Sequence, residues 1–430
     1  MVEDPARQRA GAAMKERAER AIADCRRIAL MTEEPGRTTR RFLTEPTHAV
    51  HALLRERMEA LGMKVSVDSA GNLRGLWRPK GASAERLNQN RLILGSHIDT
   101  VPDAGAFDGV LGVMLAIEWV GIARELRLPL AIEVIAFSEE EGMRYGVPFL
   151  GSRAVTGTFD AAMLKWRDAN GVTMGTAMRA FGLNPAKIKD AAIEDDVIGF
   201  VELHIEQGPV LEAEGIPVAV VEGITGQTRL NLRFTGQANH AGTTPMDLRR
   251  DALAAAAEWI TTVEKQIRKA ASSTDPGIVA TVGRIVIEPN AGNVIAGSAE
   301  LSFEIRYSSS ATRHRWTDKL IADAEAIAKR RGIGFEWNEK LDQRTVRMDR
   351  RLSTRLKSAV KACGFPVRTI PSGAGHDAMV MAARVPTAML FLRSPRGISH
   401  HPTESVLEED VEASLNIGRE FLMRLAEEVG

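Results

Sequence analysis

The chain has 430 residues, of which 44% are hydrophobic and 26% charged, so it is long enough for two or three domains of an ordinary globular protein. Lys and Arg together number 56, as do Asp and Glu, and this balance argues against a nucleic-acid partner. Two cysteines, Cys25 and Cys363, exclude a disulfide framework and favour a reducing compartment, so we expect a cytoplasmic protein. No stretch approaches about 18 uncharged apolar residues, which argues against a membrane span or membrane partner.

The first part of the chain has helical and then hairpin patterns. Apolar periodicity predicts helices over residues 14–30 and His48–Leu61, and a hairpin of Lys64–Val67 and Asn72–Trp77 follows. His48 and His51 are three residues apart on the second helix. Because no acid-rich loop surrounds them, a partly exposed helix face is favoured over a metal site.

The next segments indicate a parallel α/β core. Leu92–Leu94 and Ile132–Phe137 are apolar runs typical of covered strands, and Gly109–Leu126 between them has the pattern of a helix. This strand–helix–strand order predicts parallel strands joined by a right-handed crossover. Val197–Leu203 and Thr387–Leu392 are two further buried strands of the same kind.

Residues 222–335 have a different pattern, and we expect them to form a second, inserted domain. Alternating strands are predicted at Leu230–Phe234, Ile278–Ile287 and Glu300–Tyr307, with helices over Ala252–Ile267 and Arg313–Arg331. Such a mixture is typical of an α+β unit with an antiparallel sheet. Residues 1–221 and 336–430 would then form one discontinuous catalytic domain.

Potential metal ligands follow the first of the core strands. His97 ends the segment Gly95-Ser96-His97, Asp99 comes two residues later, and Asp108 comes eleven residues after the histidine. Open α/β sheets place their chemistry at the carboxyl ends of strands, and imidazole with carboxylate suits a catalytic zinc. Taken alone, a hydrogen-bonded histidine and a turn aspartate explain the motif equally well.

Three other segments carry the same residue types. Glu139, Glu140 and Glu141 follow a predicted strand; alone they would suit a solvated turn, but charges at a buried strand end need a partner such as a metal cation. His204 follows another predicted strand, and His400 lies in a Gly/Pro loop. These potential ligands are imidazoles and carboxylates without a thiolate, a set that suits a hydrolytic zinc or manganese centre. A carboxylate such as that of Asp108 can bridge two metals.

Together these segments resemble one family closely. The chain is similar to the carbamoylase branch of the aminoacylase/carboxypeptidase-type dinuclear metallohydrolases, which includes N-carbamoyl-L-amino-acid hydrolases, β-ureidopropionases and allantoate amidohydrolases. The resemblance extends from about Gly36 to the C-terminus. It rests on the segments GSHIDTV (95–101), FDGVLGV (107–113), EEGMRYG (140–146), ELHIEQGPVLE (202–212), NHAGTTPMDLRRDA (239–252), PNAGNVI (289–295), SGAGHDA (372–378) and GISHHPTE (397–404).

The resemblance implies an α/β fold, with a mostly parallel-sheet metallohydrolase catalytic domain and an inserted α+β dimerisation, or lid, domain. It also implies two divalent ions per subunit, zinc or manganese, with cobalt or nickel as alternatives. Glu140 would be the general base, and Asp99 would orient a ligating histidine. Because three glutamates are adjacent, a base and ligand at Glu139 and Glu140 stay an alternative. The implied ligands are His97, Asp108 as the bridge, Glu141, His204 and His400.

The same resemblance implies a homodimer in which the inserted domain covers the active site. His240 would reach the site of the partner subunit and polarise the scissile carbonyl, while Arg306 would bind a substrate carboxylate bidentately. Arg306 on an alternating strand could instead face solvent. The other implied substrate contacts are Gln207, Asn293, Gly375 and His376.

The implied reaction is hydrolysis of the ureido C–N bond of an N-carbamoyl-L-amino acid or of allantoate, with release of ammonia and carbon dioxide. A metal-activated water would attack the carbonyl with Glu140 as base. An aminoacylase or peptidase of the same superfamily, acting on N-acyl amino acids, is the alternative enzyme. The alternative from another functional class is a binding protein that has the same fold but no catalytic activity.

Overall fold

The computed structural model describes residues 5–79 and 91–429, which pack into two compact units. The first contains the described residues up to Glu222 and from Arg347 onwards, and the second is Gly223–Val346. The boundary predicted from the sequence lies between residues 335 and 336. That position lies inside the strand Gly334–Gln343, which pairs with Gly226–Thr235 of the second unit. The second unit is therefore longer than predicted, because pairing keeps this strand with its sheet.

The helices and strands are numbered along the chain. The helices are α1 (Pro5–Ala29), α2 (Pro46–Ala60), α3 (Val110–Glu125), α4 (Leu150–Val155), α5 (Met174–Ala180), α6 (Val210–Glu214), α7 (Ala252–Ala271), α8 (Ser310–Arg331), α9 (Arg350–Ala362), α10 (Asp377–Met381) and α11 (Glu408–Val429). The strands are β1 (Lys64–Val67), β2 (Leu73–Trp77), β3 (Arg91–His97), β4 (Ala131–Phe137), β5 (Val197–Ile205), β6 (Val218–Ile224), β7 (Gly226–Thr235), β8 (Asn239–His240), β9 (Val279–Glu288), β10 (Val294–Ile295), β11 (Ser298–Tyr307), β12 (Gly334–Gln343), β13 (Val346–Arg347), β14 (Thr369–Ser372) and β15 (Thr387–Leu392).

The first unit is built on a sheet of order β1-β2-β4-β3-β5-β15-β6-β13, with β14 paired to β6. The four central strands β4, β3, β5 and β15 are mutually parallel, which confirms the predicted parallel core. The flanking β2 and β6 are antiparallel to their central neighbours. Because the central strands are parallel, their carboxyl ends lie at one edge of the sheet, where ligand sites of such folds form.

Helix α3 covers this sheet and is itself covered. It packs against α1 and α11 as well as β3 and β5, and Val110 to Ala123 are all buried. A Cβ on Gly112 would lie only 2.0 Å from the carbonyl oxygen of Leu203 in β5. The absence of a side chain there lets the start of α3 lie directly on the strand that carries His204.

The second unit is an α+β unit, as predicted. Its four-stranded sheet has the order β12-β7-β11-β9, with all neighbours antiparallel. Helices α7 and α8 pack on this sheet, and Leu232, Phe234, Trp259 and Phe303 are among the buried residues between the layers. A separate two-stranded ribbon pairs β8 with β10. None of the described helices is both long and apolar enough to cross a membrane.

Candidate metal centre

The carboxyl ends of β3 and β5 bring two imidazoles together. Gly95 of β3 pairs with Glu202 of β5, so His97 and His204, each two residues further on, lie level with one another. Their Nε2 atoms are 3.4 Å apart. Asp108, in the loop before α3, places Oδ1 3.3 Å from His204 Nε2 and 4.0 Å from His97 Nε2. All three side chains are at most 3% exposed, so their donor atoms converge on one buried point, as metal ligands do.

The other carboxylate oxygen of Asp108 faces a second set of potential ligands. His400 Nε2 lies 3.1 Å from Asp108 Oδ2 and 3.3 Å from Glu141 Oε1. Asp108 thus belongs to two groups, in each of which the potential ligand atoms lie within 4.8 Å of one another. The first ligand group is His97, Asp108 and His204, and the second ligand group is Asp108, Glu141 and His400. The structure therefore brings all five predicted ligands together around one carboxylate.

The protonation of these groups follows from burial and from their neighbours. Burial lowers the pKa of His204 to about 4, so this imidazole is neutral near pH 7 and free to bind a cation. Hydrogen bonds to Asp108 and Glu141 raise the pKa of His400 to about 10. Burial by itself would raise the pKa of Asp108, but His400, His204 and His97 hold it below its usual value. Burial opposes a proton on His97, but Asp99, Glu140 and Asp108 raise the pKa of this histidine well above its usual value. Protons on His400 and His97 thus balance the carboxylates in the protein alone, and a metal would displace them.

Asp99 joins the end of β3 to the loop after β4. Its carboxylate oxygens accept the backbone N–H groups of Glu140 and Glu141 at 2.9 and 3.0 Å. The Nδ1 atom of His97 lies 3.0 Å from the backbone oxygen of Asp99 and 3.4 Å from its carboxylate Oδ1. Asp99 therefore contacts His97, while its carboxylate mainly fixes the backbone that carries the two glutamates, and its role in orienting a metal ligand stays a prediction.

The three adjacent glutamates have different surroundings. Glu140 is 8% exposed and forms a group with His97 and Glu141, whereas Glu141 also faces His400. Glu139 is fully buried and belongs to none of the potential ligand groups found among residues 5–79 and 91–429. Burial raises the pKa of Glu140 well above its usual value, and the nearby Glu141 adds to this effect. This geometry favours Glu140 and Glu141, not Glu139 and Glu140, as the pair that acts at the centre.

Gln207, predicted to contact substrate, lies next to the candidate ligands. Its Nε2 is 3.1 Å from each carboxylate oxygen of Asp108 and 3.4 Å from His400 Nε2. The backbone has a φ of 59° at this residue, and its N–H donates to Ser394 Oγ at 3.0 Å. Gln207 thus borders both ligand groups through Asp108.

His376 and Gly375, also predicted to contact substrate, lie on the other side of His204. His376 is 1% exposed, its Nε2 is 2.8 Å from Ser372 Oγ, and its ring meets that of His204 edge-on at 4.5 Å. Gly375 is half-buried against the ring of Phe149. In this arrangement His376 supports the His204 ring, and contact between either residue and a substrate stays a prediction.

The remaining predicted residues belong to the second unit. His240 of β8 and Asn293 are both exposed, and the N–H of Ala241 donates to the Asn293 carbonyl at 2.9 Å, so the two segments lie side by side. Arg306 lies on β11, where its Nε donates to Glu304 Oε1 at 2.5 Å. The structure thus places His240 beside Asn293 and leaves Arg306 on a strand, and their predicted roles stay predictions.

Two buried glutamates at the centre were not predicted. Oε1 of Glu202 accepts the hydroxyl of Ser96 at 3.0 Å, and Oε2 accepts the Ala378 N–H at 2.8 Å, so it ties β3, β5 and α10 together. Oε1 of Glu404 accepts the backbone N–H groups of Phe107 and of Asp108 itself. An acid inside the apolar run of β5 was a readable signal for Glu202, because buried charges need partners.

The chain is similar to known proteins over most of its length. Residues 93–428 match peptidase family M20/M25/M40. An N-carbamoyl-L-amino acid amidohydrolase of Geobacillus stearothermophilus is 35% identical over 91% of this chain and 94% of its own length. An allantoate amidohydrolase of Escherichia coli is 36% identical over 81% of this chain and 84% of its own length. The crystal structure of a hydantoinase/carbamoylase family amidase from Burkholderia ambifaria has a TM-score of 0.86 at 32% identity, covering 96% of this chain and 97% of that one.

Proposed function

Since this chain belongs to peptidase family M20/M25/M40, we propose that it is a metal-dependent amidohydrolase that cleaves a ureido C–N bond. The substrate class is an N-carbamoyl-L-amino acid or allantoate, the compounds named for its relatives, and the products include ammonia and carbon dioxide. The observation that carries this proposal is the pair of ligand groups that share Asp108. Two adjacent metal sites with a common carboxylate suit hydrolysis of an unreactive amide-like bond.

The residues present fit two divalent cations. The first ligand group offers two imidazoles and one carboxylate oxygen, and the second offers one imidazole and two carboxylate oxygens. This chemistry suits zinc or manganese, and also cobalt or nickel. When bound, the ions supply Lewis acidity, which makes water a nucleophile near neutral pH and polarises a carbonyl group.

Glu140 is the proton carrier of the proposed reaction. It accepts a proton from the attacking water and returns it to the leaving nitrogen, so the acid and base steps use one side chain. Burial raises the pKa of its carboxyl group, which favours reversible proton transfer near neutral pH. Asp99 holds the backbone of Glu140 and so keeps the carboxylate in place.

The second unit supplies substrate contacts and the dimer interface in this proposal. His240 would act on the carbonyl oxygen bound in the partner subunit, with Asn293 beside it, while Arg306 would bind the substrate carboxylate. The exposure of His240 and Asn293 supports this role. Met246 and Leu248, which follow on the same segment, are 77% and 69% exposed, and such exposed apolar side chains are typical of a surface that meets a partner. The cytoplasmic location expected from the sequence stays a prediction.

The experiment is ammonia release by the metal-reconstituted protein. Allantoate, several N-carbamoyl-L-amino acids and N-carbamoyl-β-alanine are compared side by side, with zinc and with manganese. A clear preference for one of them identifies the substrate. No ammonia from any of them would reject the proposal and favour the alternative, an aminoacylase or peptidase that acts on N-acyl amino acids. The Glu140→Gln variant, checked for unchanged folding and metal content, is the control for a contaminating activity.

A further inference from the structure

We propose that Glu404 is a positioning residue that joins the loop of Asp108 to the loop of His400 and so builds the second ligand group. This inference rests on the proposed function, because it concerns the same metal centre. Glu404 is 6% exposed and lies outside both ligand groups among the residues that the structure describes. Its role therefore has to follow from the groups that it contacts.

Each oxygen of the Glu404 carboxylate contacts a different ligand-bearing loop. Oε1 accepts the backbone N–H groups of Phe107 and Asp108 at 2.9 and 3.0 Å. Oε2 accepts the hydroxyl of Ser399, the residue before His400, at 3.1 Å. One side chain thus connects the shared carboxylate of the centre with the histidine that faces it.

The loop before Asp108 is shaped to receive this side chain. A Cβ on Gly105 would lie 2.3 Å from Glu404 Cβ and 2.5 Å from its Oε1. Any larger residue at position 105 would push the glutamate away from the two N–H groups. The close approach of Gly105 is an observation independent of the hydrogen bonds, and it indicates the same contact.

Loss of Glu404 should affect the two ligand groups unequally. His97 and His204 belong to paired strands, so hydrogen bonds along β3 and β5 hold them without Glu404. Asp108 and His400 lie in loops, and His400 has a backbone φ of 55°, a conformation that a non-glycine residue keeps only when its surroundings hold it. The second ligand group, which needs both loops, therefore depends more on Glu404 than the first does.

The test is the number of metal ions bound per subunit. The apoprotein is dialysed against manganese or zinc at limiting free concentration, and the bound metal is counted by elemental analysis. We expect two ions in the wild type and one in Glu404→Ala, with the affinity for the second ion reduced about 10- to 100-fold. Glu404→Gln should keep two ions, because its amide oxygen still accepts both backbone N–H groups.

A matched control separates this role from general destabilisation. Asp349 also accepts a backbone N–H, that of Leu352 at 2.8 Å, but it caps α9, beside the first residue of β15 and away from the strand ends that carry the centre. Asp349→Ala should lower the melting temperature and keep both ions. If Glu404→Ala does not fold, Ser399→Ala removes the link between Glu404 and the second loop, together with the longer contacts of the Ser399 hydroxyl with Asp108 Oδ2 at 3.3 Å and Gln207 Nε2 at 3.4 Å. This variant should still weaken the binding of the second ion about tenfold.

The results that would overturn this inference differ from those that would refute the proposed function. Two ions bound to Glu404→Ala with wild-type affinity, or to Ser399→Ala if only that variant folds, would overturn the inference. Equal loss of metal from Glu404→Gln and Glu404→Ala would also overturn it, since charge and not position would then matter. In either case a wild type that binds two ions and releases ammonia would leave the proposed function intact. A wild type without metal or activity would refute both.

Discussion

The two units of this protein hold their predicted functional residues in opposite ways. In the first unit the ligands are in mutual contact, and His97, Asp108 and His204 are at most 3% exposed. Glu141 is 10% exposed, and His400 is 47% exposed but faces the buried Asp108. In the second unit His240, on a two-stranded ribbon, and Asn293, just before the second strand of that ribbon, are both exposed. The difference follows from what each set of residues would bind. A metal centre requires donors fixed before the ion arrives, whereas groups that meet a substrate or a second subunit must be accessible first.

Replacing Asp108 should have the largest effect, because both ligand groups share it. We expect Asp108→Ala to lose high-affinity binding of both ions and to lower kcat/KM for the ureido substrate by at least about 10⁴-fold. Elemental analysis and ammonia release measure the two effects. Two tightly bound ions in this variant would show that the ligand groups do not depend on a shared carboxylate. Asp349→Ala serves here too as a folded control.

Glu140→Gln should leave metal and substrate binding intact and remove only proton transfer. We expect kcat to fall about 10²- to 10⁴-fold with little change in KM, since general acid–base catalysis contributes effects of this size. Steady-state ammonia release gives both constants. A fully active variant would contradict the role of Glu140 and reopen the assignment of the pair to Glu139 and Glu140.

His240→Ala tests the role proposed for the exposed residues of the second unit. It should keep both metal ions and lower kcat about 10²- to 10³-fold, the usual cost of losing a group that stabilises a developing oxyanion. If His240 acts across a dimer interface, mixing His240→Ala with Glu140→Gln subunits should restore about a quarter of the wild-type activity, since half of random dimers have one intact site. No recovery after verified subunit exchange would place His240 in the site of its own subunit.

The smallest expected effect is the pH dependence of metal affinity. The pKa of His400 in the metal-free protein is about 10, so below that pH the imidazole carries a proton that an ion must displace. The affinity of the second ligand group should therefore rise as the pH increases, about tenfold per pH unit from His400 alone near neutrality. Titration calorimetry at pH 6.5 and 7.5 measures the slope. An affinity that is independent of pH would contradict the proton on His400, and His400→Ala should abolish this part of the slope.

The central fold could be predicted because its signals are local. The strands β3, β4, β5 and β15 are short apolar runs, and each needs cover on both faces. Strand β12 was missed because Gly334–Gln343 is rich in charged residues and mostly exposed, so no buried face marks it as a strand. Its membership of the second unit depends on pairing with β7, a contact between distant parts of the chain.

The candidate centre was predictable to a similar extent. His97, Asp108 and His204 follow recognisable strands or belong to dense polar motifs, so their types and positions indicate metal chemistry from the sequence alone. Glu404 ends the polar segment GISHHPTE (397–404), but the segment does not reveal its partner, because Glu404 acts on the backbone of Phe107, 297 residues earlier in the chain. Likewise, His48 and His51 share one helix, yet only His51 is buried, because the fold and not helical spacing decides which side faces the core.

The points at which the chain leaves and re-enters the first unit are neighbours. The N–H of Met348 donates to the carbonyl of Glu222 at 3.2 Å, where β6 and β13 adjoin. A short connection can therefore replace the chain between them at little entropic cost. In genetic terms the second unit is a cassette within one gene. This segment can be inserted, lost or exchanged while the coding sequence of the first unit stays unchanged on both sides. Recombination at the two ends of this segment would exchange all of Gly223–Val346, and with it the proposed substrate contacts His240, Asn293 and Arg306, without changing any of the candidate metal ligands.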